Sequence, residues 1–269
     1  MLRRNEGRKT IPMEKVVEIK NLSMNYHTLD GETQAIRNLS LDVYKGEIVV
    51  IVGPSGCGKS TALSIVSGLL KPSSGEVVVN GKAVEGTNKS IGYMFQKDHL
   101  FEWRNILNNV LIGLEIQGKL NEITKVRTEK LLEIYGLSDF KSHYPSQLSG
   151  GMRQRVALIR TLAIEPDLLL LDEPFSALDY QTRLAVADDI GSILKNEKKT
   201  AIMVTHDIAE AISMADRVIV LSKRPATVKS IHRIVLTLES VRTPLSSREA
   251  PEFRHYFNTI WKELDVHVK

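Results

Sequence analysis

The sequence predicts an α/β protein built on a mainly parallel sheet with helices on both faces, and three features predict it. Short, continuously apolar runs read as strands buried on both sides: "EIVVIV" before Gly53, "DLLLLDEP" ending at Pro174, "KTAIMVTHD" ending at Asp207 and "DRVIVLS" ending at Ser222. Helix-patterned stretches alternate with these runs, the order expected when crossovers cover a parallel sheet. The segment "GPSGCGKST", Gly53 to Thr61, fits the spacing G-x-x-x-x-G-K-[ST] between an apolar strand and a helix.

In chain order, residues 16–52 read as several short strands, with a turn at Lys45-Gly46. "KSTALSIVSGLL" follows as a helix stopped by Lys71-Pro72 and by Ser73, Ser74 and Gly75. "GEVVVNGKAV" reads as a hairpin around Asn80-Gly81. From about Asn105 to Arg160 the pattern is helical, and Ile123, Val126, Leu131 and Ile134 share a face that ends at Gly136. The α/β order then resumes: a strand to Asp172, the helix "YQTRLAVADDIGSILKN", a strand, the helix "IAEAISMA" and a last strand. No internal repeat is present, so one composite domain is expected over residues 14–240, with a helical insertion at about 97–155. A tail follows at 241–269, where Phe253, Phe257, Ile260, Trp261 and Leu264 have helical spacing. Packing on the body and an exposed dimer or regulatory surface both fit that amphipathic helix.

Composition sets limits on function. The 36 basic and 32 acidic side chains leave a net charge of +4, mild enough to suit an anionic substrate or an acidic membrane surface and too weak to argue for nucleic acid. The single cysteine, Cys57, excludes an intrachain disulfide framework and fits a reducing compartment. No apolar run approaches the roughly 20 residues that span a bilayer. The basic start "MLRRNEGRKTIPMEK" has no apolar stretch behind it, so a solvated tail is expected there, not a secretory signal.

The loop carries the first chemistry. Gly53, Gly56 and Gly58, with Pro54, Ser55 and Cys57 between them, let successive N–H groups turn toward phosphate oxygens at a helix N-terminus. Lys59 brings a cation to the β- and γ-phosphates, the Ser60 hydroxyl suits Mg²⁺, and Thr61 closes the loop toward the α-phosphate. Cys57 reads as a small filler. Four leucines bury the strand before Asp172, so Asp172 emerges at the carboxyl end of the sheet, where such folds bind ligands, and is expected to hold Mg²⁺ through water. Glu173 is placed to take a proton from an attacking water, or else to cap the following turn. His206 ends a neighbouring strand and is either structural or a hydrogen-bond partner of the γ-phosphate or attacking water.

A second anion site is suggested by "PSQLSGGMRQRVALIR". Ser149 is set to N-cap a helix, Gly150-Gly151 let another backbone approach, and Met152, Val156, Ile159 and Ala163 form an apolar stripe flanked by Arg153, Arg155 and Arg160. "LSGGMRQR" resembles the signature motif of the ATP-binding-cassette (ABC) ATPases. With "GPSGCGKST", "LLLLDEP", "SALD" and His206 in that order, the resemblance covers nearly the whole chain.

The resemblance implies a P-loop NTPase core, an N-terminal antiparallel β subdomain and an inserted helical subdomain. It further implies a homodimer in which Ser149, Gly150 and Gly151 of one copy complete the ATP site of the other. By the same resemblance Gln96 matches the loop glutamine that senses Mg²⁺ and water, Asp179 the loop touching the opposite subunit, and Tyr26 the aromatic that stacks on adenine. Cofactors would be ATP and Mg²⁺. Partners would be separate transmembrane permease subunits and an extracytoplasmic solute-binding protein, without nucleic acid, at the cytoplasmic face of the membrane. "QKDHLFEWRNILNNVLIGLE", with Leu100, Phe101 and Trp103, is either the permease contact or core of the helical insertion. "FEWRNILNNV" and the closing "PEF…IW.EL" are similar to ATPases of nitrate/sulfonate/taurine-type importers; the rival reading is a non-transport ABC ATPase of translation or DNA repair.

Overall fold

A computed structural model describes residues 14–28, 31–176, 178–238 and 242–264. Its N-terminal part differs from the several short strands expected there. β1 (Lys15–Thr28) and β2 (Gly31–Tyr44) are two long antiparallel strands, broken in register by bulges. Asn21 and Asn38 take left-handed φ of 48° and 45° at those irregularities, a conformation asparagine tolerates better than most side chains. β4 (Ser74–Val79) joins β1, and β5 (Lys82–Ala83) folds back on it through Asn80-Gly81, completing the order β2-β1-β4-β5.

The second sheet has the order β10-β9-β3-β8-β7-β6, from β3 (Ile48–Val52), β6 (Ile91–Met94), β7 (Leu168–Asp172), β8 (Thr200–Thr205), β9 (Arg217–Leu221) and β10 (Val228–Arg233). All pairs are parallel except β9 with β10. The alternation of side chains across a strand explains why these runs are apolar throughout. Val49, Ile51, Leu168, Leu170, Ile202 and Val204 enter one core with β1, β2 and α1 (Lys59–Val66). Val50, Val52, Leu169, Leu171, Ala201 and Met203 enter a second core with α5 (Tyr180–Asn196) and α6 (Ile208–Met214).

α1 ends earlier than its apolar pattern suggested. Gly68 (φ 78°) turns the chain after Ser67, and a Cβ there would lie 2.0 Å from the Gly86 carbonyl oxygen, so the close approach admits only glycine. The insertion contributes α2 (Ile106–Ile116), α3 (Glu122–Ile134) and α4 (Gly150–Ala163) around a third core that includes Ile106, Val110, Leu132, Val156 and Ile159. Here one expectation fails. Ile123, Val126 and Ile134 are 81, 64 and 60% exposed, and α3 instead buries Thr128 and Leu132, with Leu131 partly covered. Periodicity identified an apolar face, but the neighbouring helices cover the other one.

At the C-terminus come α7 (Pro244–Ser247) and α8 (Phe253–Glu263). α8 packs on the body: Ile260 is fully buried in the second core, with Phe253, Phe257 and Leu264 against it, while Trp261 stays exposed.

Asn109 of α2 organises the approach to the insertion. Its buried amide accepts from Phe101 N (2.8 Å) and donates to the Phe101, Arg104 and Asn105 carbonyls at 2.9–3.1 Å. Asn109→Leu removes these bonds from a buried position and should cost roughly 2–4 kcal/mol, since each orphaned group costs about 1–3 kcal/mol. Urea denaturation measures it, and a loss under about 1 kcal/mol would mean that solvent reaches these groups.

Candidate functional site

β3 delivers the loop Gly53–Thr61 at the carboxyl end of the sheet. Gly53 lies so close to Cys57 that a Cβ would come within 2.9 Å of its Sγ, and Gly58 needs φ 125° with Ala35 O only 3.0 Å from where a Cβ would sit. The Lys59 ammonium is buried and donates to the carbonyls of Gly53 (2.9 Å) and Pro54 (3.1 Å). Ser60 Oγ donates to Asp172 Oδ1 at 2.9 Å, and the Tyr93 hydroxyl donates to Asp172 Oδ2 at 3.3 Å. Burial pushes the Asp172 carboxyl above its ordinary range against these two hydrogen bonds. Burial also lifts Tyr93 to about 12, so it remains a hydroxyl donor. Tyr26 OH lies 3.2 Å from Thr61 Oγ1, tying β1 to the first turn of α1. Cys57 is buried and its thiol is pushed up by that burial, as suits a packing residue and not a reactive one.

A second group of side chains gathers one residue further along. Glu173 follows β7 with φ 46°, a strained value for a non-glycine residue, and its N–H donates to Val204 O at 2.9 Å. Its Oε2 accepts from Gln96 Nε2 at 3.1 Å and lies 3.3 Å from His206 Nδ1. Gln96 Nε2 also donates to Ser176 Oγ at 3.3 Å, and His206 is 57% exposed. Thus Lys59, Ser60, Asp172, Glu173, Gln96 and His206 sit along one end of the sheet, at or just beyond the ends of β3, β6, β7 and β8.

Ser149 caps α4, its Oγ accepting from Met152 N. Gly151 serves the chain's own packing: a Cβ there would meet Thr182 of α5 at 2.5 Å, whereas one at Gly150 would make only ordinary contact. The flanking arginines are engaged internally. Arg153 pairs with Asp98 and Glu102, Arg155 with Asp189, and Arg160 donates to the Asp98 and His99 carbonyls. Asp179 is exposed and caps α5 by accepting from Thr182 N at 3.1 Å, a bond that holds its carboxyl below the ordinary range.

The donor set suits Mg²⁺. Among the described residues no cluster of three or more His, Cys, Asp or Glu could hold a metal by itself. Mg²⁺ on a nucleotide does not need one, because it uses one or two protein oxygens and fills its shell with phosphate and water. Ser60 and Asp172 are already within 2.9 Å of each other.

A family profile described as "ABC transporter" matches residues 36–176. The chain is 45% identical, over 93% of its length and 95% of the relative's, to a Bacillus subtilis (strain 168) protein named as an uncharacterized ABC transporter ATP-binding protein, YtlC. This chain belongs to the ABC transporter ATPases. Its relatives also include the taurine import ATP-binding protein TauB of Jannaschia sp. (strain CCS1), 40% identical over 87% of this chain and 88% of that one. Among solved structures it is similar to MJ0796, described as a bacterial ABC transporter cassette in dimeric form, with 32% identity and a TM-score of 0.72 over 81% of this chain and 99% of that one. As an ABC ATPase the chain binds nucleotide and hydrolyses ATP.

Sequence reading missed Tyr93 and the buried pair behind His206. Glu210 of α6 is almost fully buried, accepts from Thr205 Oγ1 at 2.6 Å, and has Arg183 Nε 3.8 Å away. No motif marks Glu210; a lone glutamate in "IAEAISMA" reads as solvated. Burial raises its carboxyl to about 7 from an ordinary 4.5. Between those values the unfolded chain ionises Glu210 while the folded one keeps it protonated. Stability should therefore fall from about pH 4.5 to 7, by on the order of 3 kcal/mol, and then level off. In Glu210→Gln that part of the slope should vanish in denaturation curves taken across the window. An unchanged slope would assign it to other groups.

Proposed function

We propose that this chain is the ATP-hydrolysing subunit of an importer for a small solute, acting as a homodimer against separate transmembrane permease subunits. An extracytoplasmic solute-binding protein completes the system, and the ATPase lies at the cytoplasmic face of the membrane. The observation that carries the mechanism is the Gln96–Glu173–His206 cluster at the sheet end that also bears Lys59, Ser60 and Asp172. The Glu173 carboxylate bonds side chains on two other strand ends and, among the described residues, makes no side-chain bond to the turn that follows it, which favours the role of base over that of cap.

Each residue then has a task. Backbone N–H groups of Gly53–Thr61 grip the phosphates, and Lys59 exchanges its bonds to Gly53 and Pro54 for phosphate oxygens. Ser60, Asp172 and Gln96 would hold Mg²⁺, which when bound neutralises charge on the phosphates. Glu173 Oε2 takes a proton from the attacking water while Gln96 and His206 orient that water; the new bond forms at the γ-phosphorus and the bond to ADP breaks. Tyr26 stacks on adenine. The nucleotide is enclosed only when Ser149, Gly150 and Gly151 of a second copy close over it, with Asp179 at the same interface. In support, α4 packs on α2, α3, α5 and β6, whereas α1 packs on β4, β7 and β8, so the two anion-binding helix starts serve different walls of the molecule. MJ0796 has been solved as a dimer bound to ADP and Pi, with a TM-score of 0.71 to this chain.

Contact with permease subunits is supported beside Gln96. Trp103 is 75% exposed and packs on Phe101 with ring centroids 5.0 Å apart, and Phe95 is also exposed, while Leu100 is buried in the insertion core. Among the described residues no helix is long and apolar enough to cross a membrane. Relatives named for taurine import support a cargo of the nitrate/sulfonate/taurine type or a related anionic or small organic solute.

Recovery from detergent-solubilised membranes should yield the chain with integral membrane proteins; recovery with ribosomes or DNA instead would overturn the transport reading. Glu173→Gln should bind ATP, accumulate as dimer and hydrolyse at least about 100-fold more slowly. Near-normal turnover would remove Glu173 as the base. Ser149→Arg should abolish ATP-dependent dimerisation in gel filtration while nucleotide binding by the monomer persists; loss of both would contradict completion of the site in trans.

A further inference from the structure

We propose that Arg224 is a positioning residue for the nucleotide, holding and polarising the phosphate-binding loop from its outer side. The inference rests on the reading of Gly53–Thr61 as that loop. Arg224 lies in the connection from β9 to β10, and its guanidinium donates twice to one acceptor, the carbonyl oxygen of Gly56, from Nε at 3.1 Å and from Nη2 at 2.8 Å. That carbonyl belongs to the peptide whose N–H is Cys57's, in the middle of the glycine-rich turn.

A cation on the oxygen of a peptide draws electron density from its nitrogen and makes the N–H a stronger donor. The Cys57 N–H donates to Pro54 O at 3.2 Å, and it is one of the groups a bound phosphate would engage. Arg224 therefore acts on the loop in two ways. It fixes the Gly56–Cys57 peptide in one orientation, and it sets a positive charge behind a pocket built for anions. The same charge acts on the Cys57 thiol, opposing the upward push of burial.

The guanidinium is held in place by its backbone. Ser222 Oγ accepts from Thr227 N at 3.0 Å and contacts the Lys223 and Pro225 carbonyls at 2.9 and 3.1 Å. Ala226 N donates to Ala35 O at 2.8 Å, and Arg37 N donates to Ala226 O at 3.0 Å, which pins the connection to β2. The loop packs on this same support: a Cβ at Gly58 would meet Ala35 O at 3.0 Å and Ala226 Cβ at 3.4 Å. The support is therefore continuous from β2 through residues 222–227 to the loop.

The test compares wild type with Arg224→Met, which keeps an unbranched stem and loses the charge, and with Arg224→Lys, which keeps the charge. Affinities for Mg-ADP and for a non-hydrolysable Mg-ATP analogue are measured by calorimetry, and KM and kcat by phosphate release. In Arg224→Met both affinities should weaken about threefold to tenfold and KM should rise in parallel, with kcat at saturation within about twofold and the melting temperature little changed. Arg224→Lys should recover at least half of the loss on a logarithmic scale. Wild-type affinity in Arg224→Met would overturn the proposal. So would an affinity loss that tracks a fall in melting temperature and that lysine does not restore, the mark of a purely structural strap. Failure of the wild type to bind either nucleotide would strike the phosphate-loop reading itself, and the role of Arg224 with it.

Discussion

Burial of β7 on both faces of the sheet is the constraint on which the site depends. Leu168 and Leu170 enter one core and Leu169 and Leu171 the other, so a slip by one residue would draw Asp167 or Asp172 into the apolar interior, where an unpaired carboxylate is costly. At roughly 1.5–3 kcal/mol per buried leucine, the strand is held in the sheet far more strongly than by any single polar contact in the site. Its parallel pairing places Leu171 beside Met94 and Asp172 beside Val204. Everything polar at the sheet end follows: Asp172 lands against Ser60 and Tyr93, and Glu173 against Gln96 and His206. The chemistry is positioned by hydrocarbon.

The groups gathered there satisfy one another. Lys59 rests on two loop carbonyls, Ser60 on Asp172, and Gln96 on Glu173. Buried ammonium and carboxylate groups without partners would cost several kcal/mol each, so each ligand-facing group carries an internal partner that a nucleotide can replace. Binding is then an exchange of hydrogen bonds, and the net gain comes from the extra charge and number of phosphate oxygens. On the acidic side of the site burial raises Glu210 to about 7, while Asp172 spreads its charge over the Ser60 and Tyr93 hydroxyls. Arg183, within 3.8 Å of both Asp207 and Glu210, offsets the remainder.

Much of this is legible in the sequence, for physical reasons that also mark where legibility stops. The phosphate loop could be read because close backbone approach and strand–loop–helix context restrict which residues fit. The central strands could be read because two-sided burial leaves an unbroken apolar run, and α5 is bounded in the structure as in the sequence, Tyr180 to Asn196. The two long N-terminal strands looked like several short ones because asparagines with positive φ interrupt the alternation. The exposed face of α3 was misread because periodicity defines a stripe and says nothing about the neighbour that covers it. β10 has a half-buried edge pattern without the apolar run of its neighbours. Tyr93, Glu210 and Arg224 escaped because their importance lies in partners between 5 and 168 residues away, a relation no local pattern contains.

The start of α4 shows how packing and recognition divide one short motif between them. Its arginines are paired within the chain, and Gly151 is small because Thr182 lies against it, so neither supplies charge or space to an external ligand. What remains is directional. Ser149 Oγ accepts from Met152 N, which leaves its hydroxyl proton available to donate, and the N–H groups of Gly150 and Gly151 have no acceptor within their own helix. A partner's nucleotide closing on this helix would meet oriented donors and a helix N-terminus in place of mobile cations. Such a surface binds a terminal phosphate by geometry and releases it when the geometry changes. Because Arg153, Arg155 and Arg160 are already paired within the chain, the donors left for a partner's nucleotide at this helix start are the Ser149 hydroxyl and backbone N–H groups, whose direction the helix fixes.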